Sequence, residues 1–135
     1  MKNKIINKAY LFIFLAVFSQ CGLAESNTLV ASCATKGTAP DGSRKHCDST
    51  PPTCFEAPSG FVLAKDTLNI QESGNGNHSC SITWENPVDV IPGVPQPTKI
   101  CITGSADSPG GMRNMNAQGD VKCIAAINYV RLSGK

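Results

Sequence analysis

Six cysteines within 111 residues, Cys33, Cys47, Cys54, Cys80, Cys101 and Cys123, constrain this chain more than any other feature. The count is six, and even, once the seventh cysteine, Cys21, is read as part of a leader. Residues 1–8 carry Lys2, Lys4 and Lys8 and no acid; an apolar run from Ala9 to Phe18 follows. Gly22 and Ala24 then place small residues at the two positions a signal peptidase reads, the three-part order of a secretory signal peptide. The apolar run is too short to cross ~30 Å of hydrocarbon as a helix. Cleavage after Ala24 is therefore expected, leaving residues 25–135 as a single disulfide-stabilised β domain. A lipoprotein signal would want a small residue directly before Cys21, where Gln20 stands. Membrane contact is expected only if Cys21 is lipidated.

An even set of cysteines in an exported chain reads as a disulfide framework, because oxidising compartments preserve such bonds. The bridges matter energetically. After residue 24 the aromatics are Phe55, Phe61, Trp84 and Tyr129, so the core rests on Val, Ile, Leu and Ala. Three bridges of ~2–4 kcal/mol each are large beside a total stability of ~5–15 kcal/mol. The spacings lack the paired C-x-x-C knuckles of zinc sites. The expected pairing is Cys33–Cys101, Cys47–Cys54 and Cys80–Cys123. The last joins inward faces of two strands, and the middle one closes a short loop stiffened by Pro51-Pro52.

The strands are legible from alternation. In residues 78–85, HSCSITWE, Cys80, Ile82 and Trp84 share one face while Ser79, Ser81 and Thr83 share the other. Trp84 on that face reads as a core tryptophan near a disulfide. Residues 61–72 read as a strand with a break at Lys65-Asp66, and the SGNGN stretch at 73–77 predicts a hairpin between the two. Residues 28–34 and 98–104 are further short strands. Residues 121–132 form the longest, with Val121, Cys123, Ala125, Ile127 and Tyr129 on one face. Residues 35–60 and 104–120 read as turn-rich or loop segments. Residues 85–97, with four prolines, read as a connection or ragged edge. Short strands, turn clusters and no amphipathic helix predict an all-β chain, a small antiparallel β-sandwich stapled by about three disulfides.

Charge narrows the function classes. Beyond the leader, nine basic residues face ten acidic ones, a formal net charge of −1, without the clustered basic excess of nucleic-acid binders. The sequence has no G-x-S-x-G elbow, no H-E-x-x-H and no phosphate-cradling loop, and its carboxylates are scattered. A non-enzymatic protein without a cofactor is expected, with a small secreted hydrolase as an alternative that would need an unfamiliar site. A second alternative is copper. Met112 and Met115 offer soft thioethers for Cu(I), and His46 or His78 would have to complete the site; the plainer reading is that the methionines are adaptable hydrophobes. The principal expectation is a secreted or periplasmic binding module. Its candidate contacts are Arg113, Asn114, Asn116 and Asp120 on the 104–120 loop, with Arg44 and Lys45 as a basic tip beside Cys47. Its partner would be an envelope or extracellular protein, a glycan or a membrane surface, with an inhibitor or immunity-type role as a sub-case.

Overall fold

In the computed structural model, residues 24–36, 44–110 and 117–132 are described. They form seven strands: β1 (Glu25–Lys36), β2 (His46–Asp48), β3 (Thr53–Glu56), β4 (Phe61–Asn75), β5 (Asn77–Ile91), β6 (Val94–Asp107) and β7 (Gln118–Arg131). Every pairing is antiparallel. One sheet has the order β1-β7-β4; in the other, β6 is central, with β5 on one side and the short β2 and β3 end to end on the other. The two sheets pack face to face, so the expected β-sandwich is what forms.

The alternation that predicts β7 also places it. Val121, Cys123, Ala125 and Ile127 point inward and are at most 2% exposed. From the facing sheet, Ile100 and Ile102 of β6 meet them, and Leu29, Ala31 and Leu63 complete the core from β1 and β4. Burial of these aliphatic side chains is the main force holding the sheets together. Along β1 the register runs from Glu25 opposite Tyr129 to Lys36 opposite Gln118. The first strand therefore lies beside the last over its whole length. The break anticipated at Lys65-Asp66 is a bulge in the β4–β7 ladder between Ala64 and Asn69. Thr67 fills the gap: its Oγ1 accepts from Asn128 N–H (3.0 Å) and donates to Ala64 O (2.7 Å).

Four expectations need correction. First, β4 and β5 do not form a hairpin; β4 pairs with β7 and β5 with β6, and the chain steps between sheets at Gly76. Alternation looks the same whether two strands share a sheet or face each other across a core. The glycines here serve close approach: a Cβ at Gly76 would lie 2.3 Å from Asp107 O, and one at Gly74 2.0 Å from Asp120 O.

Second, residues 85–97 are mostly strand, and the hairpin is β5–β6. Its tip, Ile91-Pro92-Gly93-Val94, puts proline before a glycine at φ 82°, the chemistry of a type II turn. Pro87 and Pro97 stand opposite each other, so their missing donors fall on one ladder step, beside which Thr98 Oγ1 donates to Asn86 O (2.9 Å). Third, both flanks of the expected 104–120 loop belong to strands, residues 104–107 to β6 and residues 118–120 to β7.

Fourth, the disulfides are Cys33–Cys47, Cys54–Cys101 and Cys80–Cys123. Only the third matches the expected set. Ile100 and Ile102 face inward, so Cys101 faces outward, where its register partner on β3 is Cys54. Cys33 and Cys47 face each other across the core from β1 and β2, with Cα atoms 6.0 Å apart. Two bridges therefore join the sheets and one lies within a sheet.

Candidate functional site

The end of β1, the start of β2, the step from β4 to β5, the end of β6 and the start of β7 all lie at one end of the sandwich. Asp107, the last residue of β6, is the hub of that end. On β2, Cys47 points inward to its bridge, so His46 and Asp48 both point outward. His46 Nδ1 lies 2.7 Å from Asp107 Oδ1, and its Nε2 lies 3.0 Å from Asp48 Oδ2. A neutral imidazole could donate to only one of these carboxylates, and the imidazolium donates to both. The hydrogen bond to Asp107, followed by that to Asp48, raises the His46 pKa above its ordinary value.

The 44–45 segment is fastened to the far end of β6. Ser108, 1% exposed, donates its N–H to Lys45 O (2.8 Å) while its Oγ accepts from Lys45 N–H (2.9 Å). Arg44 lies along the backbone of Gly110, where a Cβ would meet its Cγ at 2.6 Å. Asp120 Oδ1 accepts from Asn75 Nδ2 at 2.6 Å. Asn77, His78, Ser79, Ser105, Ala106 and Asp107 line a shallow polar cleft beside this cluster, where Ser79 and Ser105 share a hydroxyl hydrogen bond of 2.9 Å.

Of the sequence-predicted contacts, Arg44, Lys45 and Asp120 thus come to the same end; Arg113, Asn114 and Asn116 lie outside the described residues. Met112 and Met115 of the copper alternative also lie outside them. The two histidines do not converge, since His46 sits on the outer face of β2 and His78 on the inner side of β5, with β6 between. His78 Nδ1 is 2.9 Å from Gly76 O, and its Nε2 is 3.6 Å from Glu72 Oε1. Among the described residues, no group of three His, Cys, Asp or Glu side chains is placed to hold a metal ion. Nor does either histidine there hydrogen-bond a serine.

Sequence reasoning missed Asp48, Asp107 and Ser108. The His46-x-Asp48 spacing, which puts both side chains on one strand face, was the available signal for the first; the other two depend on a long-range register. At the opposite end of the molecule, Val90 and Val94 of the β5–β6 hairpin and Val130 of β7 are 39–48% exposed around a cleft of about 360 Å³.

Electrostatically, the loop end is asymmetric. The carboxylates of Asp48 and Asp107 are engaged by His46, and that of Asp120 by Asn75. Arg44 and Lys45 are exposed and, among the described residues, take part in none of the ion pairs. Among the described residues, the end therefore offers guanidinium, ammonium, amide and hydroxyl donors beside carboxylates that each hold a contact within the fold. Comparison with protein-family models, curated proteins and solved structures finds no match to this chain.

Proposed function

We propose that this protein is a non-enzymatic binding module of the periplasm or extracellular space, and that it engages a carboxylate- or sulfate-bearing protein or glycan surface through its loop end. The observation that carries this reading is the pinning of the Arg44-Lys45 tip to Ser108 beside acids that are already paired. Cys33–Cys47 ties the adjoining strand to the opposite sheet. A tip held in place this way loses little conformational freedom when a partner binds, which favours affinity without added contact area. The three disulfides support an oxidising compartment.

The test is a pull-down from the native envelope or medium with immobilised residues 25–135, comparing the natural sequence with an Arg44→Ala/Lys45→Ala variant. A partner captured by the first and lost by the second, with elution at raised salt as screening requires, is the expected result. Equal capture by both would refute the assignment of the surface.

A further inference from the structure

Four strand edges bound the two sheets, and three are protected. The edge of β1 is leaned upon by β3, whose Thr53 Oγ1 donates to Val30 O (3.1 Å). The edge of β4 is interrupted by its bulge, where Lys65 and Asp66 stand. The edge formed by β2 and β3 is split into strands of three and four residues. These are ways in which proteins blunt edges against pairing.

The fourth edge, residues 77–85 of β5, has no such device. It contains no proline, no lysine and no register shift, and among the described residues no strand pairs with its far side. Positive-φ residues bound it at both ends, Gly76 (75°) and Asn86 (52°), and Ser81 is its midpoint.

The direction of its free backbone groups follows from β6. Gly104 exchanges hydrogen bonds with Ser49 on the β2–β3 side, Ser49 N–H to Gly104 O and Gly104 N–H to Ser49 Oγ, both 2.8 Å. Its backbone therefore points away from its register partner, Cys80. By antiparallel alternation, His78, Cys80, Ile82 and Trp84 present their N–H and C=O groups outward from the sheet edge.

We infer that this edge pairs with the same edge of a second copy, antiparallel about Ser81, to give one continuous sheet across a two-fold dimer. In that register Cys80 exchanges both backbone hydrogen bonds with the other copy's Ile82, and His78 does so with its Trp84. Ser81 faces its own symmetry mate, and Ser79 faces Thr83. The solvent-side pairs are thus small hydroxyl residues, a favourable cross-strand combination, and no like charges oppose each other. Glu85, held by Lys99 at 2.6 Å, falls opposite Asn77. The symmetry is isologous and closes at two copies.

Sedimentation velocity from micromolar to millimolar protein tests this, with Ser81→Lys and Ser81→Glu variants run separately and mixed. Ser81 is exposed on the outer face, so circular dichroism and disulfide content should be unchanged in both variants. The natural sequence should dimerise reversibly. Each variant alone should weaken the dimer roughly fivefold, since like charges then meet at the axis. The equimolar mixture should recover it. A natural sequence that stays monomeric throughout overturns the inference. So does a dimer indifferent to either variant, which would place the interface elsewhere, or a mixture no tighter than its components, which would refute the register. Loss of dimer with capture of some other extended peptide at this edge would assign the edge to a different partner and also overturn it.

Discussion

Gly104→Ala is the substitution whose cost this packing defines most closely. Gly104 sits on the inner face of β6, opposite Cys80, where the Cys80–Cys123 bridge passes from β5 to β7. A Cβ there would lie 2.8 Å from Val121 Cγ1 and 3.0 Å from Cys123 Sγ. Neither neighbour gives easily. Val121 is 2% exposed and stiff at χ1, and the sulfur of Cys123 is fixed by its bond. Replacing a strand glycine by alanine gains roughly 0.5–1 kcal/mol through the unfolded chain, whereas overpacking a close-packed core costs ~1–3 kcal/mol. A net loss centred on about 1 kcal/mol, and at most about 2.5 kcal/mol, is expected, or a fall in Tm of roughly 5 °C for a domain of this size. Urea unfolding should show a lower midpoint with unchanged slope. In a Cys80→Ala/Cys123→Ala background one of the two clashes is gone, so the penalty should fall by roughly half, the non-additivity expected of touching groups. A neutral or stabilising Gly104→Ala, or a penalty undiminished without the bridge, would refute the reasoning.

Three further outcomes are expected. Removing the Cys80–Cys123 bridge alone opens a loop spanning 43 residues, and chain entropy sets the loss at about 4 kcal/mol, measurable by denaturation against the natural sequence. Ile102→Ala, at a core position with no exposure, should cost ~2–5 kcal/mol by the same assay. His46 stabilises through a folded pKa raised, first by Asp107 and then by Asp48, above its ordinary 6.5. Its contribution is therefore full below that value and is lost as pH rises through the folded pKa. An imidazole NMR titration should place the folded pKa above 6.5, and His46→Gln should flatten the dependence of the urea midpoint on pH in that window.

The faces of β5 and β7 were legible because their inward residues alternate without interruption, and that same parity yielded Cys80–Cys123. The sandwich followed from strand number and the lack of helical period. What the sequence did not convey is which strands share a sheet. Residues 61–72 and 78–85 alternate as hairpin partners would, yet Gly76 takes the chain across the core. The same blindness misassigned Cys101: its neighbours Ile100 and Ile102 are the better core residues, so the cysteine turns outward to Cys54. At the loop end, Arg44 and Lys45 were visible as a basic run and Asp120 as a polar loop residue. The His46–Asp107 and Lys45–Ser108 contacts span 61 and 63 residues, and no local pattern encodes them.

The position of the bridges decides how the molecule would carry tension. Because Glu25 lies opposite Tyr129, a pull on the two ends would unzip β1 and β7 one step at a time from that pair inward. Peeling would stop at Cys33 on one strand and at Cys123 on the other, after freeing sixteen residues, roughly 55 Å of extended chain. From there the load would pass through sulfur from Cys33 to Cys47 and along the backbone to Cys54, where the Cys54–Cys101 bridge divides it between residues 55–80 and residues 102–122 before both routes meet at Cys123. Residues 34–46 would lie outside that path. Arg44, Lys45 and His46 belong to that segment, so the basic tip would bear no direct tension while the ends of the domain are stretched.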